Sequence, residues 1–317
     1  MKPALKLYQQ GLTLIELLVA MVLMLLVAIA TVALFNVSSS SYRTVDAGQE
    51  LQDNARFAME IIGQAARSAG FQDRTGPTVD GQNYTDSTFG PVAPVKAWRV
   101  EGANNAKIDQ PAQLKADIPA APYGSNNGYN QSDVLVVRFF GATSPTDPSK
   151  PDGSMIDCSG RRIPYPSGSA DLGISAFSVD IVAGEPELQC TSYNPDGGAI
   201  STTSIIRGVE SFQVMFGLDT NADDIPDRWV SADPSWNSTT ALTNWNNVVA
   251  VRVGMVLRGP PGSGQGRSAT ASENDLYPLG KDFVGDSTES GMKLTPADDG
   301  RLRRSFATTY TFRNAVR

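Results

Sequence analysis

Gly11-Leu12-Thr13-Leu14-Ile15-Glu16-Leu17-Leu18-Val19-Ala20 sets one carboxylate, Glu16, at the head of an apolar run that carries no charge over residues 17–35. At helical rise such a run matches the roughly 30 Å hydrocarbon core of a bilayer. A lone acid there costs about 2.5–3.5 kcal/mol on insertion scales, so Glu16 needs a partner or a purpose. Lys2 and Lys6 lie on the N-terminal side of the run. That charge bias keeps the leader in the cytoplasm and exports the bulk of the chain. Three plainer readings compete. A secretory signal would use Ala28-Ile29-Ala30 as its cleavage site, yet the apolar run continues past it through Phe35. A signal-anchor helix explains length and orientation but not the spacing from Gly11 to Glu16. A buried helix of a soluble domain rarely has so long an uncharged stretch at a terminus.

Outward from this segment the helical pattern continues. No proline occurs between Pro3 and Pro77. Beyond the serines at 38–41, Leu51, Ala55, Ala58, Ile62, Ala65 and Ala69 recur at three- and four-residue steps and form one apolar stripe. Gly70 then stands where a terminating glycine belongs. A helix over 12–69 would be about 85 Å long. An anchor joined at the serine patch to a separate helix is the alternative.

Residues 71–132 are rich in Gly, Pro, Asn and Asp and read as loops with one or two short strands. Strand signals follow at 134–140, 174–182, 205–209 leading through Glu210 into 212–216, 248–257 and 305–312. In 248–257, Val249, Val251, Val253 and Met255 fall on one face and Arg252 on the other. Phe306, Thr308, Tyr310 and Phe312 share a face of the last strand. Strands separated by turns, without helical spacers, give an antiparallel sheet. The fold class expected is therefore α+β: a long N-terminal helix packed on a C-terminal antiparallel β-sheet head. Its parts are residues 1–11 ahead of the helix, the helix (12–70, with the transmembrane half at about 12–35) and a β-rich head (71–317).

Composition narrows the function. The 317 residues hold 26 basic and 33 acidic side chains, a net charge of −7 that becomes −9 once Lys2 and Lys6 leave with the leader. An acidic surface disfavours nucleic acid as the main partner. Histidine is absent, which removes Ser-His-Asp and Cys-His catalysis and every His-containing zinc site. Cys158 and Cys190 fit no metal or redox spacing. In an oxidising periplasm they most simply form one disulfide, which is structural and contributes about 3–4 kcal/mol in the chain-entropy picture.

One loop has ligand spacing. Asp219-Thr220-Asn221-Ala222-Asp223-Asp224-Ile225-Pro226-Asp227 places oxygen side chains at positions 1, 3, 5 and 9, with the Ile225 carbonyl at 7. Ca²⁺ takes six to eight hard oxygens, and alternate spacing lets a tight loop supply them. Asp224 replaces the glycine of an EF-hand, Val230 replaces its bidentate Glu, and helical flanks are missing, so dockerin-like loops are the nearer comparison. A solvated acidic turn is the alternative. Elsewhere, Gly259-Pro-Pro-Gly-Ser-Gly-Gln-Gly266 lacks the Lys-Ser/Thr end of a phosphate loop and reads as flexible. Arg301, Arg303 and Arg304 read as a solvated strand start, and Glu185 and Glu187 as surface acids.

The 11–16 spacing before a membrane-length helix resembles the processing site of type IV pilins. Gln52-Asp53-Asn54-Ala55-Arg56-Phe57-Ala58-Met59-Glu60, residues 248–258, and Thr309-Tyr310-Thr311-Phe312-Arg313-Asn314 are similar to PilW-type minor pilins of Gram-negative bacteria. The likeness covers the first seventy residues and the C-terminal third; 72–200 match only in general character. It implies cleavage after Gly11 by a prepilin peptidase and methylation of the new amino terminus at Leu12, where the family usually has Phe. Glu16 would pair with that ammonium, on its own chain or a neighbour's. It implies no enzymatic activity, but a low-abundance subunit that helps initiate pilus assembly and sits at or near the tip. Its partners would be other minor pilins, the major pilin, a tip-associated adhesin and the inner-membrane assembly platform. The subunit would stay in the inner membrane, head in the periplasm, until assembled, and would support twitching motility and attachment. A type II secretion pseudopilin and a calcium-dependent tip adhesin that binds a surface ligand itself are the alternatives.

Overall fold

A computed structural model describes residues 13–71, 100–103, 105–108, 123–125, 128–147, 150–164, 172–194, 198–231, 245, 247–264, 275–284 and 291–313. One helix, α1 (Leu14–Ser68), runs without a break through the serine patch. The hydroxyls that could have opened it fold back onto its own carbonyls instead. Thr31 Oγ1 donates to Val27 O at 2.7 Å, Ser40 Oγ to Val37 O at 2.9 Å and Thr44 Oγ1 to Ser40 O at 3.1 Å. The helix stops where Ala69 turns extended and Gly70 takes φ +69°, a left-handed conformation open to glycine at little cost. Gly70 N then donates to Arg138 O, and Phe140 N to Phe71 O, so the chain leaving α1 is captured by the sheet.

The expected stripe is the buried one. Leu51, Ala55, Ala58, Ile62, Ala65 and Ala69 are all nearly inaccessible and belong to the main hydrophobic cluster. Small residues there let α1 approach the strands closely.

Among its described residues the head holds two antiparallel sheets and a ribbon, where the sequence suggested one sheet. Strands β1 (Val100–Ala103), β4 (Val134–Phe139), β5 (Gly173–Val182), β6 (Glu185–Tyr193) and β7 (Ile200–Arg207) make a five-stranded sheet in that order. Strands β8 (Val209–Leu218), β9 (Arg228–Val230), β10 (Val248–Arg258) and β11 (Arg303–Thr311) make a second, ordered β11-β10-β8-β9. The ribbon pairs β2 (Ala106–Ile108) with β3 (Tyr123–Ser125).

The sheets face each other across a core of Leu135, Val137, Phe177, Val179, Leu188, Phe212, Val214, Phe216, Val251, Val253 and Met255, closed along one side by α1. Asp133 stitches them together: its Oδ2 accepts from Val214 N at 2.9 Å and its Oδ1 from Asn105 N at 2.9 Å. The outer face of the second sheet is covered by residues 275–284 and 291–294. There Arg252 donates to Leu279 O and stacks 4.2 Å from the Phe283 ring centroid. Phe306, Tyr310 and Phe312 turn to the core as expected. In β10 a register shift between Val248 and Ala250 takes Val249 out of phase, so Val248, not Val249, joins Val251, Val253 and Met255 in the cluster.

Candidate functional site

The N-terminus of α1 is built by a reciprocal cap that the pattern Thr13-x-x-Glu16 encodes. Glu16 N donates to Thr13 Oγ1 at 3.4 Å, and Glu16 Oε2 accepts from Thr13 N at 2.9 Å and Thr13 Oγ1 at 2.9 Å. The cap satisfies helix-end N–H groups that apolar surroundings would otherwise leave bare. The reading of Glu16 as a partner for a terminal ammonium overlooked this local role. The Gly11–Leu12 junction lies outside the described residues. From Leu14 to Val37 the large apolar side chains are exposed, Phe35 at 71%, and none of the membrane-length window is buried by the head. Such a surface requires lipid or other apolar helices around it.

At the other end α1 is tied down. Tyr310 on β11 donates its hydroxyl to Met59 O at 2.6 Å, and burial pushes its pKa up to about 12. Gly63 faces the same ring.

Around Glu210 lies an ion network that was not legible from the sequence. Arg303 is 7% exposed, not solvated; of the three arginines only Arg304 is exposed, and its guanidinium lies beside Gly48 of α1. Arg303 contacts Glu210 Oε1 at 2.9 Å and Asp299 Oδ1 at 2.7 Å. Arg258 bridges Glu185 Oε2 at 2.6 Å and Glu210 Oε1 at 3.2 Å, and Arg301 Nη2 lies 3.5 Å from Glu185. Burial works against the Arg303 charge, but its bonds to Glu210 and Asp299 together hold its pKa above the ordinary value. The Arg303 hydrogen bond keeps Asp299 below the usual carboxylate range, and the Arg258 bond does the same for Glu185. Glu187, read as a surface acid, is 2% exposed and pairs with Arg207 Nε at 2.9 Å. The start of the glycine-proline loop is also fixed. Ser263 is buried, donating to Pro260 O at 2.6 Å and accepting from Leu302 N at 3.0 Å.

Cys158 and Cys190 form a disulfide, with Cα atoms 6.0 Å apart. It pins residues 156–160 to β6.

The acidic loop between β8 and β9 is a cascade of side-chain turns. Asp219, 2% exposed, accepts from Asn221 N, Ala222 N and Asp224 N. Asn221 Oδ1 accepts from Asp223 N and Asp223 Oδ1 from Ile225 N. Asn221 Nδ2 reaches Asp223 Oδ2 and Asp227 Oδ1, each at 3.2 Å, so these three side chains converge while Asp219 turns back to the backbone. Hydrogen bonds from Thr220 hold Asp227 below the usual range. Asp224 takes φ +64°, the conformation a glycine would take there. Among the described residues no group of three or more His, Cys, Asp or Glu is arranged to hold a metal. Any ligand set here must include Asn221 and the Ile225 carbonyl.

Comparison with known families decides between the readings of the N-terminal segment. Residues 176–314 match the family of type IV pilus-assembly protein W, and residues 6–32 the prokaryotic N-terminal methylation motif. The C-terminal part of the chain is thus similar to PilW, and its N-terminus carries the prepilin-type methylation motif. The first match takes in β6 to β11, which carry much of the core and most of the ion network; the second spans Gly11, Leu12 and Glu16. Among solved structures, a type IV-like pilin from Thermus thermophilus aligns at 14% identity and a TM-score of 0.38, covering 84% of this chain and 98% of that one. No curated protein matches the sequence. The PilW family is a structural, pilus-building one, and the methylation motif with the apolar half of α1 fits membrane anchoring.

Proposed function

We propose that this chain is a PilW-type minor pilin that helps initiate type IV pilus assembly, sits at or near the tip, and supports twitching motility and attachment without catalysing a reaction. One observation carries the reading: α1 passes unbroken from an exposed apolar half headed by Glu16 into a half packed on the head. In the membrane the helix is anchored with its head in the periplasm; in the filament the same apolar surface packs on like helices. The prepilin peptidase would cut after Gly11, and Glu16 would meet the methylated Leu12 ammonium of a neighbour. A one-residue slip would strand a charge in hydrocarbon, so the pair sets axial register. The platform in the inner membrane, other minor pilins, the major pilin and a tip adhesin are the partners this role requires. Glu16→Ala tests it. The variant should reach the membrane at normal level yet leave a strain without redundant initiators largely bald; normal piliation would count against the register role. Gly11→Trp should leave uncleaved precursor in the membrane.

A second proposal concerns the acidic loop. We infer that Asp219, Asn221, Asp223, the Ile225 carbonyl and Asp227 take up Ca²⁺. Two features support it: Asp224 tolerates the left-handed turn, and Asn221, Asp223 and Asp227 already converge. Ligation would require the Asn221 amide to turn its oxygen inward.

A further inference from the structure

The five-stranded sheet ends on β7, and the sequence of that strand does little to guard it. Ile200-Ser-Thr-Thr-Ser-Ile-Ile206 holds no proline and no charge before Arg207, and Thr202, Thr203 and Ser204 are exposed. Natural edge strands are usually blunted by lysine, proline or a bulge. The one irregularity in β7 is at Ile205, opposite Leu188 and Gln189, near its far end. Among the described residues no strand pairs with its outer side.

Where β7 passes α1 there is an open cleft of about 360 Å³. Its apolar walls are Phe57 and Ile61 from the helix, Ile156, Ile205 and the Cys158–Cys190 disulfide. Phe57 stands 55% exposed, although it lies on the half of α1 that is packed on the head. The cleft also has a polar end. Asp157 lines it and is 3% exposed. Its Oδ1 accepts from Ser159 N, Ser159 Oγ and Arg161 N. Its Oδ2 has Arg161 Nε 3.3 Å away as an ion-pair neighbour but no hydrogen bond.

We propose that this cleft receives an extended strand from a different pilin subunit, which pairs with the outer edge of β7 and places a large apolar side chain beside Phe57. The inference rests on the pilus reading above. Each feature selects one property of the occupant: the β7 edge, unpaired among the described residues, selects extended backbone, and the walls an apolar side chain. Position selects its source. Phe57 lies twenty-two residues beyond Phe35 on the same rigid helix, about 33 Å away at helical rise. A subunit whose helix packs along the apolar half of α1 is thereby brought alongside the cleft.

The test uses the full chain in its own piliated host, with a photoreactive amino acid introduced singly at Phe57, Thr203, Thr309 or Leu23. Thr309 reports the exposed edge of β11, and Leu23 the apolar half of α1. Phe57 and Thr203 should crosslink to one and the same protein, identified by mass spectrometry as carrying a prepilin leader, with Thr309 giving about tenfold less product. Introducing Phe57→Asp should cut the Thr203 product about tenfold and leave the Leu23 product, the disulfide and the membrane level unchanged. Proline at Thr202 or at Thr203 probes the edge itself, read from the Phe57 crosslinker. In an antiparallel ladder neighbouring N–H groups point opposite ways, so one of the two prolines removes only an outward donor. Whichever variant keeps the disulfide and protease resistance should lose the crosslink. The proposal is overturned by a product with a second copy of this chain or with a protein lacking a prepilin leader. Equal yields at Thr203 and Thr309, or a Phe57→Asp variant without effect, also overturn it. If the Leu23 product is present while those at Phe57 and Thr203 are missing, only the cleft fails; if Leu23 also gives none, the pilus reading fails with it.

Discussion

Gly63→Ala sets two effects of known size against each other. Alanine in a helix interior is favoured over glycine by about 0.8–1.0 kcal/mol. Yet a Cβ at position 63 would stand 2.6 Å from Tyr310 Cε1 and 3.2 Å from its Cζ. That ring cannot swing aside freely, because its hydroxyl is held on Met59 O at 2.6 Å and it packs against the core. Overpacking of this kind costs about 1–3 kcal/mol, and losing the buried hydroxyl bond adds about 1 kcal/mol. The clash therefore wins, and we expect net destabilisation of about 1–3 kcal/mol, or some 2–12 °C in a domain of this size. In a Tyr310→Ala background the clash is gone and only propensity remains, so the same substitution should stabilise by about 1 kcal/mol. Urea unfolding of the full-length chain in detergent, followed by near-ultraviolet circular dichroism, measures all four members of the cycle. If Gly63→Ala stabilised the wild-type background, or acted equally in both, the close approach of α1 to β11 would not be what requires glycine.

Three further outcomes follow from the same reasoning. Replacing Cys158 and Cys190 with alanine opens a link between residues 32 apart and should cost about 3–4 kcal/mol, read as a lower urea midpoint. The carboxyls of Asp299 and Glu185 are held below their unfolded values, so their stabilisation is present above about pH 4 and is lost as pH falls through the lower folded values. Melting should thus be flat from neutrality to about pH 5 and fall below pH 4, and Arg303→Met should lessen that fall. If the acidic loop takes Ca²⁺, a hundredfold excess over Kd should stabilise the chain by about 2.7 kcal/mol relative to chelator. Asp219→Ala with Asp223→Ala should abolish the difference, and unchanged melting in the wild type would return the loop to an acidic turn.

The helix was legible because its signal is local. A stripe from Leu51 to Ala69 at helical spacing, the lack of proline and a terminating Gly70 all lie within one stretch of chain. The division of the strands into two sheets was not, since it depends on contacts such as that of Asp133 with Val214, 81 positions apart. Strand β6 escaped for a related reason. Glu185-Pro-Glu-Leu-Gln-Cys-Thr-Ser-Tyr193 looks polar, and its acids enter the head only because Arg207, Arg258 and Arg301 meet them. Of the candidate site, the place of Glu16 was evident, whereas its bond to Thr13 was readable as a capping box but was overlooked in favour of its role between subunits. The cleft beside β7 had no signal in the sequence, because Phe57, Asp157 and Thr203 are brought together only by the fold.

The serine patch of α1 has a mechanical consequence. With Ser40 and Thr44 bonded to the helix's own carbonyls and no proline in the span, the 55 residues form one rod of about 82 Å. Such a rod has no joint between bilayer and head. If the apolar end is lifted by one subunit step, as the proposed assembly role requires, β11 must rise by the same distance at the same moment, since Tyr310 is bolted to Met59 near the far end. Axial thrust is delivered without slack, and a hinge glycine pair placed at 39 and 40 would turn a piston into a tether.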